Sequence, residues 1–174
     1  MPPPEDPAVV DKSHEVVDTL HGIFGSHPGK RPAHAKGILI HGTFDPTYEA
    51  SRLSTAPHFN QICIPVIARL FSSTGLPDLS DTDPNGMVTF ELFTQMAQHG
   101  DVTDDCTVLW PESRAEVKLG QVHLHSVMED NETEQKRIIF DSVPRVEGIE
   151  PSGDPLIDTR AAAYLISGRE RHAA

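Results

Sequence analysis

The sequence predicts an α+β domain that is mainly β, on three observations. Short β-branched apolar runs recur along the chain. An amphipathic helical pattern opens the chain and an alanine-rich one closes it. Proline (15) and glycine (12) are frequent enough that turns and irregular connections must separate the pieces. With 174 residues and 37% apolar content, the chain supports one domain with a modest core.

The acidic, proline-rich start at residues 1–10 (MPPPEDPAVV) reads as disordered. Val16, Val17, Leu20, Ile23 and Phe24 then recur at helical spacing, with Gly25 and Pro28 supplying the stop. Ile38 to Phe44 is short and β-branched enough for a strand, and Cys63 to Phe71 (CIPVIARLF) is a second; both are expected to be well buried. Residues 72–85 turn to Ser, Asp, Pro and Gly, and DPNG at Asp83 to Gly86 is a strong turn signal. MVTFELFTQMA, from Met87, fits neither period cleanly and is assigned as a strand.

An extended connection through the acidic Gly100 to Asp105 segment and Trp110-Pro111 leads to VKLGQVHLHSV and KRIIF. These read as two strands of an antiparallel hairpin around the acidic turn Glu129 to Glu134. Leu156 to Ser167 reads as a helix, with Asp154 as its cap, Pro155 in the first turn and Gly168 at its end.

Composition excludes several function classes. The balance of 14 Lys+Arg against 26 Asp+Glu gives a net charge of -12, which disfavours nucleic acid and anionic membranes as partners. Cys63 and Cys106 have no CxxC spacing, so neither a disulfide framework nor a structural zinc site is indicated, and a reducing compartment fits. The chain opens on no basic region followed by an apolar run, and no stretch approaches the ~20 apolar residues of a membrane span. The expectation is a cytoplasmic protein without a membrane span, with a peroxisomal location and homo-oligomerisation left open. No GxSxG, Walker or dinucleotide motif is present.

The heptad Arg31 to Gly37, RPAHAKG, sets His34 three residues after a cation and immediately before a strand. An imidazole on such a fixed backbone suits general acid/base work near neutral pH, although the heptad alone is equally an ordinary basic edge with a polar histidine. Near the other end, Arg160 lies four residues before Tyr164, hence on the same helix face. A lone tyrosine in an alanine-rich helix is by itself ordinary packing. His123 and His125 alternate on one strand face, with Glu116 near in sequence, as metal ligands of a cupin-like barrel would; no third ligand is placed. His14, His21 and His27 flank the first helix and read as solvated. DTDPNG lacks the EF-hand ligand spacing and reads as a turn.

RPAHAKGILIHGTF resembles the distal-histidine signature of haem catalases, and PVIARLFSSTGLPDLSDTDPNGM resembles the segment that follows it in the small catalase-related peroxidases. TVLWPESRAEVKLGQVHLHSV and KRIIFDSVPRVEGIEPSGDPLIDTRAAAY are similar to the C-terminal part of the same family's barrel domain, which ends at the helix bearing the proximal tyrosine. The resemblance implies an antiparallel catalase-like β-barrel with an N-terminal helix and a C-terminal helix, and a haem b cofactor whose iron takes Tyr164 as axial ligand.

On the same resemblance His34 is the catalytic residue, taking a proton from peroxide and returning it to the departing oxygen. Arg31 and Arg69 would pair with haem propionates, and Arg160 would stabilise the Tyr164 phenolate. The implied activity is reduction of hydrogen peroxide or an organic hydroperoxide, with a role in the response to oxidative stress. The superfamily also contains enzymes that rearrange fatty-acid hydroperoxides and catalase-like members of biosynthetic pathways.

Two departures from the family pattern stand out. The family order Arg-Phe-Ser is replaced by Arg69, Leu70, Phe71 and Ser72, so the serine that supports the distal histidine is displaced. The larger one is an absence: Met87 runs almost directly into FELFTQMAQHGD, where the family has several barrel strands, the distal asparagine and a helical excursion. Residues 11–171 are therefore expected to form a single, internally truncated domain, in two blocks joined near residues 87–90. Removing barrel strands exposes backbone groups and the cavity wall, so an incomplete barrel is expected, and a non-catalytic remnant is the alternative reading.

Overall fold

The computed structural model describes residues 6–25, 37–71, 88–140, 143 and 146–173. Helix α1 (Pro7–Phe24) precedes strand β1 (Gly37–Pro46), the short helix α2 (Tyr48–Leu53), a 3-10 turn (Pro57–Asn60) and strand β2 (Ile64–Phe71). Strands β3 (Val88–Gln95) and β4 (Glu116–Val127) follow, then helices α3 (Asn131–Arg137) and α4 (Pro155–Ala173). The strands form one four-stranded antiparallel sheet in the order β2-β1-β4-β3.

This is a mixed α+β fold, and one expectation needs correction. The helices hold more of the described residues than the strands do, so "mainly β" overstates the sheet. Where an incomplete barrel is expected, the described residues form an open four-stranded sheet. β2 and β3, consecutive in the chain, lie at its opposite edges.

The centre of the sheet is the buried part. Leu39 and Ile40 of β1 and Leu124 of β4 are at most 2% exposed. Cross-strand partners point to one face, so Phe44, Val122 and Phe90 form an apolar row across three strands, and Thr43, His123 and Thr89 form the polar row beside it on the other face. Phe59 of the 3-10 turn meets Phe44 edge-on, with ring centroids 6.3 Å apart. β2 is not the well-buried strand its composition suggests. Pro65 and Ile67 are exposed, and Pro65 is tolerated because an edge strand has a side that needs no ladder donor.

Helix α1 starts inside the segment expected to be disordered. Pro7 occupies the first helical position, and Asp6 accepts a 2.9 Å bond from the Ala8 N–H. It ends where expected, at Gly25, whose φ of 81° is a conformation open mainly to glycine. α1 packs on α4 through small residues. Ser13, fully buried, donates to the Val9 carbonyl at 2.6 Å and reaches the Thr159 carbonyl of α4, while Val17, Ala161 and Ala162 fill the seam.

The expected hairpin strand KRIIF does not form. Lys136 and Arg137 close α3 instead, whose acidic first turn and basic last turn complement the helix dipole. Asn131 and Gln135 pin α3 to the sheet by donating to the carbonyls of Leu39 (3.2 Å) and Gly37 (2.8 Å). The cap of α4 is as expected: Asp154 accepts from the Leu156 N–H at 2.8 Å. Its end is not, for α4 runs through Gly168 to Ala173. Gly168 is there for contact, because a Cβ at that position would overlap the Ile139 side chain. The connection expected to be extended is instead a closed loop, in which Arg114 pairs with Asp101 and donates to Gln98 at 2.9 Å.

Candidate functional site

One face of α4 carries Arg160, Tyr164, Gly168 and Arg171, spaced by three or four residues. The expected Arg160–Tyr164 neighbourhood is present. The guanidinium carbon lies 5.9 Å from the centroid of the half-buried Tyr164 ring, a cation–π arrangement.

Two turns beyond Tyr164, Arg171 is buried to 6% exposure. Its Nη1 donates to Ser167 Oγ at 3.3 Å and its Nη2 to the Ile138 carbonyl at 3.4 Å, while its buried Nε has no hydrogen-bond partner. Arg69, near the end of β2, donates from Nε to Gln135 at 3.2 Å. Burial holds both guanidiniums below their ordinary pKa, and the charge of Arg69 lowers Arg171 further. Among the described residues no carboxylate pairs with Arg171. A buried, incompletely bonded cation beside a second cation is costly unless an anion completes it.

Sequence reasoning named Arg69 but missed Arg171. The available signal was its spacing of seven residues from Tyr164, which returns to the same helix face; the helix stop assigned to Gly168 hid it. Arg31, His34 and Ser72 lie outside the described residues, as do His27 and the Asp83 to Gly86 turn.

The cupin-like alternative is not assembled. His123 meets Thr89 Oγ1 through Nδ1 at 3.0 Å and faces Asp45 through Nε2 at 3.4 Å, while His125 meets Thr43 Oγ1 at 3.1 Å. Glu116 lies seven residues away along β4, about 24 Å in an extended strand. Among the described residues no three His, Cys, Asp or Glu side chains are placed to hold a metal ion. His14 is exposed, and His21 sits 3.5 Å from Glu170 across the α1–α4 seam.

A separate cavity of about 380 Å³ opens at the start of α4, with Trp110, Leu156, Ile157 and Arg160 in its wall. Neither Tyr164 nor Arg69 lines it. No described helix is long and apolar enough to cross a membrane.

A helix face bearing a phenol flanked by guanidiniums, joined to an open antiparallel sheet, is what this chain presents. No family model matches it. It is 39% identical over 70 residues to a catalase-related peroxidase of Mycolicibacterium paratuberculosis, a match covering 40% of this chain and 22% of that protein. It is 30% identical over 84 residues to a catalase-related peroxidase of Synechococcus elongatus, covering 48% of this chain and 25% of that protein. Both matches are to proteins named catalase-related peroxidases, and it is to that branch that this chain is similar. The chain spans about a quarter of the length of the curated relatives it matches.

Proposed function

We propose that this chain is an internally shortened catalase-related peroxidase domain in which Tyr164 would hold the iron of haem b, and that it reduces hydrogen peroxide or an organic hydroperoxide. The observation that carries the reading is the buried Arg171 Nε without a partner, beside Arg69 and on the Tyr164 face of α4. The donor set fits the group: two guanidiniums suit carboxylates at one edge, and a phenol oxygen suits ferric iron.

In this reading Arg69 and Arg171 hold propionates together with Arg31. Arg160 keeps a positive charge beside the Tyr164 ring. His34 accepts a proton from the bound peroxide and returns it to the departing oxygen. Haem, when bound, supplies the redox chemistry.

The open sheet supports the shortening. The joint near residues 87–90 falls at the start of β3, and β2 and β3, consecutive in the chain, are the two strands left at the edges. The same opening favours the alternative of a remnant, or a biosynthetic catalase-like protein, that does not turn over peroxide. It leaves Phe90, Leu92 and Phe93 between 44% and 48% exposed, where further strands would cover them.

The test is hydrogen peroxide turnover by the haemin-loaded chain against free haemin, in wild type and His34→Gln. Turnover above free haemin that falls by about 10²-fold or more in the variant is the expected result. Turnover equal to free haemin favours the remnant, and turnover unchanged by His34→Gln removes His34 from its role.

A further inference from the structure

We propose that the cavity at the start of α4 binds an apolar zwitterion of the class of a hydrophobic amino acid. The wall is largely apolar, and four of the chain's exposed large hydrophobic residues converge there: Val102 (38% exposed), Val108 (44%), Leu109 (89%) and Leu156 (45%). Such clustering, unlike singly scattered exposed residues, marks a surface that something covers. Trp110 stands among them with its indole N–H already committed to the Val102 carbonyl at 2.8 Å, so the ring is fixed.

The charges in the wall decide the ligand class. Arg160 makes no ion pair among the described residues. Asp105 accepts from the Thr107 N–H (2.9 Å) and hydroxyl (2.6 Å) through Oδ1 alone, which leaves Oδ2 for another donor. Asp154 is already engaged through both oxygens, by the N–H groups of Leu156 and Cys106. Arg160 and the spare oxygen of Asp105 thus line the cavity without pairing with each other, beside an Asp154 carboxylate already held by two backbone N–H groups. A simple anion would meet Asp105, on a chain of net charge -12, and a simple cation would meet Arg160. A carboxylate on Arg160, an ammonium on Asp105 and an apolar side chain against Trp110 and Leu156 meet both exposed charges and the apolar part of the wall.

Trp110 is the chain's single tryptophan, so its emission reports this cavity directly. Titration of the full chain, without haemin, with L-leucine should give a saturable change. Isocaproate, which lacks the ammonium, and isoamylamine, which lacks the carboxylate, should each need roughly tenfold more ligand, one charge-assisted hydrogen bond being lost in each case. Asp105→Asn should bring leucine down to the isocaproate level, and Arg160→Gln to the isoamylamine level. Both side chains are exposed, so the fold should survive, and unchanged circular dichroism checks this.

As a second measurement, leucine should slow alkylation of Cys106, which lines the cavity, and leave the exposed Cys63 unaffected. Either analogue binding as tightly as leucine, leucine binding unaltered in both variants, or no saturable change at all would overturn the proposal. Because no haemin is present, these outcomes are independent of the peroxidase reading.

Discussion

The central and edge strands of the sheet are built from similar residues and meet different fates. β1 and β4 bury Leu39, Ile40 and Leu124 almost completely, whereas β2 and β3 leave Ile67, Phe90, Leu92 and Phe93 more than 40% exposed. Edge strands of soluble proteins normally carry charges, bulges or proline on the side away from the sheet. β2 has Pro65, but the one charge on β3 is Glu91, and it is paired with Lys118 of β4. β3 is thus an edge interrupted only by Glu91 and by a register shift against β4 between Leu92 and Phe93, and it leaves three large apolar side chains exposed, which the proposed shortening would account for.

Truncation variants test that contrast most strongly. Leu124→Ala should lower stability by about 2–5 kcal/mol. Phe90→Ala should cost under ~1 kcal/mol, since little buried contact is lost at the edge. Both are read from denaturant midpoints, and an equal cost at the two sites would show that β3 is covered. The helix seam should give an intermediate effect: Gly168→Val forces a side chain into Ile139 and should destabilise by about 1–3 kcal/mol, with Ile139→Ala in the same chain restoring part of it.

Arg171→Met should leave stability unchanged or raise it by about 1 kcal/mol, because it removes a buried, incompletely bonded charge beside Arg69. A marked loss would mean that Arg171 already has its anion. The smallest effect is expected at Asp101. Its hydrogen bond with Arg114, and then that from the Gln98 N–H, holds the carboxyl below the usual range. A depressed folded pKa stabilises above the unfolded value and ceases to do so as pH falls through the folded one. The stability deficit of Asp101→Asn relative to wild type, followed by urea titration, should therefore shrink on acidification below the ordinary aspartate range.

The parts of the fold legible in the sequence are those where local signals and tertiary context agree. Ile38 to Phe44 and VKLGQVHLHSV lie within strands, Gly25 ends α1 and Asp154 caps α4. KRIIF fails because its β-branched pair follows a helix whose Asn131 and Gln135 are fixed to β1 by contacts remote in sequence. α2 was not foreseen, since six residues are too few for a period and its start depends on Thr47, which bonds both Ala50 N–H and the distant Lys118 carbonyl.

The site divides in the same way. The Arg160–Tyr164 pair follows from helical spacing alone. The influence of the Arg69 charge on Arg171 depends on how β2 and α4 sit against α3, which no local pattern encodes.

Haemin titration followed by the Soret band is the most direct test of the central claim, that α4 retains a haem-binding face. Wild type should develop a protein-bound Soret band that shifts or disappears in Tyr164→Phe, and Arg171→Met should need more haemin to reach the same band. Absence of the band in wild type, or a band indifferent to Tyr164→Phe, would contradict it.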